Sequence, residues 1–217
     1  EPIRRQVCLN TAISAEGIEH GYGAQIGRVL VLARKDDVYT RCQAAAAAGS
    51  DARMSGCEMP VVIVSGSGNQ GMTASLPVIE YAKLTGAGAE KLMRALIVSD
   101  LVTIHQKTGI GKLSAYCGAV SAGVGAAAGI AYIDGAGVDI IAHTIVNGVA
   151  ITSGIVCDGA KPSCAAKIAT AVYAGILGYE MYKNGQQFYA GDGIITKGGT
   201  AANIIPKQAV GTNRNSA

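Results

Sequence analysis

The chain has 217 residues, a net charge of +3, 49% apolar and only 15% charged side chains. So small and scattered a charge excludes a nucleic-acid footprint, and no basic stripe interleaved with aromatics occurs. No Ser/Pro-rich run or charge block divides the chain, so one domain over 1–217 is expected; 30 glycines, one Phe and no Trp predict closely packed backbones.

In chain order, the first helical pattern is Asp37 to Ala48, rich in alanine. Val61 to Val64 is the one β-branched run, read as a strand without an alternating partner. Helices follow over Gly71 to Leu84 and Ala89 to Ile104, the latter with apolar Leu92, Met93, Leu96, Ile97 and Leu101 at helical spacing. Gly109 and Gly111 close it, and a new helix is predicted from near Lys112, carrying small residues at Ala119, Gly123 and Ala127. Leu113 to Ile133 is 21 residues without a charge, long enough to span a bilayer, but its Gly, Ala and Ser gain little from lipid. A buried core helix is expected there instead. Val138 to Gly154 and Ser163 to Lys183 complete the series, with a short helix from Thr200 to Val210 broken at Pro206. The fold class expected is mainly α, a single globular helical domain of Gly/Ala-rich, closely packed helices.

Three features carry candidate chemistry. Gly66-Ser67-Gly68-Asn69-Gln70-Gly71 is a literal G-x-G-x-x-G, but a dinucleotide fold needs a second parallel strand ending in an acid. Glu90 opens a helix instead, so no NAD is expected. A Gly/Ser turn feeding a helix N-terminus still presents N–H groups to a small carboxylate, with Ser67, Asn69, Gln70 and Thr73 adding side-chain groups. A tight interhelical turn explains the same glycines equally well. Arg53 lies shortly before, either as a bidentate carboxylate contact oriented by Asp51 or as one half of a surface ion pair.

The six cysteines are the third feature. No signal-like segment is seen, so a reducing cytoplasm is expected, where cysteines are thiols or metal ligands rather than disulfides. Cys157 and Cys164 share one short loop, and Pro162-Ser163 place Cys164 in the first turn of a helix, which favours its thiolate. Cys117 begins the small-residue helix and would face that loop if the two helices pack. This is neither a zinc C-x-x-C nor a ferredoxin spacing, and by spacing alone three buried free thiols remain the default.

The stretches SDARMSG (50–56), SGSGNQGMTASLPVI (65–79), KLSAYCGA (112–119) and VCDGAKPSCAAKIATA (156–171) closely resemble the α, or catalytic, half of the iron–sulfur L-cysteine desulfidase / L-serine dehydratase family. Their order and separations also fit, and the desulfidase branch is the nearer match. The resemblance implies a pyridoxal-phosphate-independent lyase with a [4Fe–4S] cluster on Cys117, Cys157 and Cys164, and an open fourth iron. It also implies a substrate carboxylate held at Ser65, Ser67, Gly68, Asn69, Gln70 and Gly71, with Arg53 beside them.

The reaction so implied is α,β-elimination on a small L-amino acid, taking L-cysteine to pyruvate, ammonia and sulfide, or L-serine to pyruvate and ammonia. Cys8, Cys42 and Cys57 match no ligand position. Family members of the desulfidase type carry an N-terminal half with a Cys-Thr-Glu-Pro segment, which this sequence lacks. The chain starts at Glu1, and the expectation is the C-terminal half of a longer protein, its partner half a missing segment or a separate chain, in a homo-oligomer. The general base is expected from that half rather than from His20, His105 or His143. Readings of another class are an inert iron–sulfur interaction module and a zinc or redox-sensing protein using the same thiols.

Overall fold

The computed structural model describes residues 1–111, 114–193 and 195. Eight helices follow one another: α1 (Pro2–Glu19), α2 (Ile26–Ala33), α3 (Val38–Met54), α4 (Gly68–Thr85), α5 (Ala89–Ile110), α6 (Gly118–Ile133), α7 (Val138–Ile151) and α8 (Cys164–Lys183). The mainly α expectation holds, with no β-strand among the described residues. The helix expected from near Lys112 begins only at Gly118: residues 114–117 are not helical, because they pair with the segment at 155–157 instead. The tail helix expected from Thr200 to Val210 lies outside the described residues.

Two helices were not legible in the sequence. The buried face of α1 is Gln6, Asn10, Ile13, Ser14 and Gly17, so its helical stripe is largely polar and leaves no apolar period. α2 is only eight residues long, and its anchor comes from elsewhere in the chain. Asp51 of α3 accepts from the Gly27 N–H at 3.0 Å, capping the α2 N-terminus from a neighbouring helix. Of the two readings of Arg53, neither Asp51 as its orienting partner nor a surface ion pair is seen among the described residues: its guanidinium donates to Asn69 Oδ1 at 3.1 Å.

The predicted strand at Val61–Val64 is an extended segment paired with a side chain. Asn10 Oδ1 accepts from the Val62 N–H at 2.9 Å, and Asn10 Nδ2 donates to the Val62 carbonyl at 3.4 Å. One amide of α1 thus satisfies both backbone groups that a neighbouring strand would take. Asn10 Nδ2 also donates to Ser75 Oγ at 3.0 Å, so the segment is fixed against α4 as well.

At the centre stands α6, packed against α4, α5, α7 and α8. Its glycines permit that. A Cβ on Gly123 would lie 2.6 Å from the Ala171 carbonyl oxygen, and one on Gly175 2.7 Å from that of Gly123, so α6 and α8 meet backbone to backbone. The uncharged stretch 113–133 is therefore accounted for over 118–133 by burial on nearly every side, and no helix among the described residues is long and apolar enough to cross a membrane.

One half-buried carboxylate gives the fold a pH dependence. Asp100 of α5 accepts from Gln6 Nε2 at 3.1 Å, yet burial pushes its carboxyl up to about 6 from 3.8. Between those values the folded chain binds more protons than the unfolded one, so stability falls as pH rises through the window. Asp100→Asn keeps an acceptor for Gln6 and removes the half-buried charge. It is expected to stabilise the chain by up to about 3 kcal/mol at neutral pH. Chemical denaturation near pH 3.8 should show no such gain, because there the native carboxyl is already protonated.

Candidate metal and substrate site

The site forms where three helices begin. Ser67 caps α4, its Oγ accepting from the Gln70 N–H at 3.4 Å; Cys117 is the N-cap residue of α6; Cys164 is the first residue of α8. Three N-terminal dipole ends therefore converge, and each favours negative charge. Among them lies a cavity of about 290 Å³ whose walls include Arg53, Ser67, Gly68, Asn69, Gln70, Cys117, Cys157 and Cys164. Of the residues expected at a site, these eight share one cavity.

Ser65 and Gly71 do not. Ser65 lines a neighbouring cavity of about 890 Å³ that shares Gly66, Ser67, Gln70, Gly118 and Cys157 with the first. Its backbone φ of 51°, followed by Gly66 at 85°, closes a tight turn in which Val64 and Ser67 exchange backbone hydrogen bonds of 3.3 and 3.2 Å. Both central residues have positive φ, the mark of a type I′ turn. That turn delivers the chain from the extended segment directly into α4. Gly71 is buried against the same segment, where a Cβ would stand 2.0 Å from the Val62 carbonyl oxygen. Thr73 is fully buried and donates to the Asn69 carbonyl at 2.7 Å, so it serves α4 and not the cavity.

The cation and the amides sit close together. The Arg53 guanidinium lies over Gly68, whose missing Cβ would be 2.6 Å from Arg53 Nε. Gln70 packs on Gly118 in the same way, a Cβ there falling 2.4 Å from its Nε2, while its buried Oε1 has no protein partner. Arg53 and the first N–H groups of α4 make this wall suited to a carboxylate.

The thiol wall is assembled by backbone pairing. The Cys157 N–H donates to the Ala115 carbonyl at 2.7 Å and the Cys117 N–H to that of Ile155 at 3.4 Å, around a bridge between Tyr116 and Val156. This short antiparallel contact brings Cys117 to the loop that carries Cys157. Cys164 Sγ lies 3.5 Å from both the Gly159 carbonyl oxygen and the Lys161 nitrogen, folding that loop back onto α8. Cys117 is buried, Cys164 half-buried and Cys157 exposed, and all three are free thiols. Burial pushes the Cys117 thiol up and its two cysteine neighbours add to that, while the Ala119 N–H and Lys167 oppose it.

The donor set can be tested against a metal group. No trio of His, Cys, Asp or Glu among the described residues converges tightly enough for a single metal ion. The first cavity is lined by three thiols and by no imidazole or carboxylate. Three soft thiols lining one cavity are the donor type that an iron–sulfur cluster takes. Of the other cysteines, Cys42 is buried in the core, where burial pushes its thiol up, and Cys8 is exposed.

None of the three histidines lines either cavity. His20 pairs with Glu16 at 3.2 Å, His143 stacks on Tyr182 with centroids 4.3 Å apart, and His105 is exposed on α5. Residues passed over in the sequence include Gly118, which admits the Gln70 amide, and the Asp158–Lys167 pair beside the cysteine loop. Lys167 stands three residues after Cys164, one helical turn away, and that spacing was the available signal.

The serine dehydratase alpha chain family matches residues 1–206. The chain is 66% identical over 206 residues to a UPF0597 protein of Desulfitobacterium hafniense, covering 94% of this chain and 48% of that one. It is 55% identical over 193 residues to a UPF0597 protein of Lachnoclostridium phytofermentans and 51% over 190 residues to one of Finegoldia magna. Those alignments cover 89% and 88% of this chain, and 46% and 45% of the relatives. The chain thus spans about half the length of the curated relatives it matches. No solved structure matches it.

Proposed function

This chain belongs to the serine dehydratase alpha chain family, and from that premise we propose that its cleft carries out pyridoxal-phosphate-independent α,β-elimination on a small L-amino acid. Cys117, Cys157 and Cys164 hold a [4Fe–4S] cluster, and L-cysteine is the substrate, yielding pyruvate, ammonia and sulfide. The observation that carries this reading is the single cavity lined by three thiols on one side and by Arg53 with the α4 N-terminus on the other. L-serine is the second reading, favoured by the description of the matching family.

When bound, the cluster supplies Lewis acidity to the β-substituent of the substrate through an iron without a cysteine ligand. The protein's own part is positioning. Arg53 and the Gly68 and Asn69 N–H groups hold the carboxylate, while Gln70 and Gly118 wall off the larger neighbouring cavity. The proton acceptor for the α-carbon is assigned to the half of the longer relatives that this chain does not match; here no imidazole stands at either cavity, and Lys107 and Tyr116 line only the larger one.

Arg53→Ala separates binding from cluster assembly. With the carboxylate contact gone, KM for L-cysteine or L-serine is expected to rise at least about tenfold, the value of a charge-assisted hydrogen bond. Iron content should not change, because Arg53 touches Asn69 and Gly68 and none of the thiols. Steady-state pyruvate assays on the anaerobically reconstituted protein, joined with its other half, check both. An unchanged KM would remove Arg53 from the site, and turnover of neither substrate would overturn the reaction assigned.

A further inference from the structure

The geometry points to Lys167 as a positioning residue that clamps the Cys157 loop onto α8 and so sets Cys157 against Cys117 and Cys164; its consequence for the cluster rests on the function proposed above. The loop from Val156 to Ser163 has no helical structure of its own and carries one thiol that is exposed. Its far end is tied by the Cys164 contacts to Gly159 and Lys161. Its near end is tied to the α6 side by the Cys157 N–H bond to Ala115. The Cys157 end of the loop is tied to α8 by one ammonium group.

Lys167 Nζ donates to the Asp158 carboxylate and, at 3.5 Å, to the Val156 carbonyl. These two residues flank Cys157 on either side, so the clamp acts on the backbone that carries the thiol. Lys167 is one turn after Cys164 on the same helix, so the two share a face. The ion pair holds the Asp158 carboxyl below its ordinary value and the Lys167 ammonium above, and the Lys167 charge is felt at Cys117. The same cation that shapes the loop therefore acts on Cys117 and Cys164, thiols that would carry negative charge as iron ligands. Arg53 lines the opposite wall.

An exposed ion pair is individually weak, so the clamp governs local opening rather than global stability. Two measurements on the full chain test it. In the metal-free protein, Lys167→Met should raise amide hydrogen exchange over 155–161 roughly two- to fivefold and leave α6 unchanged, whereas Lys167→Arg should stay near wild type. In the iron-reconstituted protein, Lys167→Met should lose iron to a chelator about tenfold faster, again with Lys167→Arg as the conservative rescue. Unchanged exchange in Lys167→Met overturns the clamp, whatever the metal result. Faster exchange with wild-type iron retention overturns its role toward the ligands. A wild-type chain that takes up no iron refutes the cluster reading alone, because the exchange measurement still decides the clamp.

Discussion

Gly71→Ala is expected to destabilise the chain by about 3 kcal/mol or more, the upper range for forcing volume into a packed interior. The added Cβ would stand 2.0 Å from the Val62 carbonyl oxygen and 3.0 Å from Ile63 Cα, and these are backbone atoms. The extended segment cannot yield easily, since Asn10 holds both hydrogen-bonding groups of Val62 and is itself tied to Ser75. For a chain of this length the melting temperature should fall by roughly 6–12 °C. Displacing the start of α4 also moves Gly68, Asn69 and Gln70, so substrate binding should suffer beyond the loss of stability. Gly118→Ala is the informative contrast. Its Cβ would meet the end of a flexible side chain, the Gln70 amide, at 2.4 Å, so the amide swings aside at little cost. A thermal melt of both variants checks the pair. Similar small shifts would mean that the close approach of α4 to the 61–64 segment is not a constraint.

Cys117→Ala should abolish turnover while leaving the fold standing. The thiol is small and buried at the α6 N-cap, and the backbone bond that aligns it with Ile155 does not involve the side chain. On the proposed function Cys117 is one of three cluster ligands, and its loss would remove a Lewis acid worth several kcal/mol, so pyruvate formation should drop on the order of 10³-fold or more. Cys42→Ala is the control, a core thiol remote from either cavity, and should retain activity once corrected for stability. If Cys117→Ala kept wild-type turnover and iron content, the thiol would belong to the core and not to a ligand set.

Legibility in the sequence divided along physical lines. Helices with apolar periodicity or runs of small residues, such as α5 and α6, were visible because burial there uses apolar or minimal side chains. α1 was not, because Gln6, Asn10 and Ser14 make its buried stripe polar and spend their groups on Asp100, Val62, Ser75 and Ala45. The helix expected over Asp37 to Ala48 runs on to Met54, through Gly49, where a Cβ would come within 2.8 Å of Met72 Sδ. Val61–Val64 carried a real extended signal, but the partner was a side chain that no strand pattern reveals.

The candidate site divides in the same way. The cysteine loop and the Gly/Ser turn could be placed on helix starts from Pro, Ser and Gly alone, and three helix N-termini do meet there. That Cys117 would stand beside Cys157 depended on pairing across forty residues, through Ala115 and Ile155, which spacing cannot show. The partner of Asp51 is hidden for a similar reason, since Gly27 lies 24 positions earlier, on a helix the pattern does not disclose. Gln70 was named for its side chain, but its place depends on a glycine at 118.

The most direct test of the account is iron and acid-labile sulfide analysis of the chain after anaerobic reconstitution and desalting, with zinc measured in the same sample. The account predicts about four irons with matching sulfide per chain and a broad visible absorption, all lost in the Cys157→Ala variant. Stoichiometric zinc with no iron, or a folded, colourless chain that retains neither metal, would contradict it.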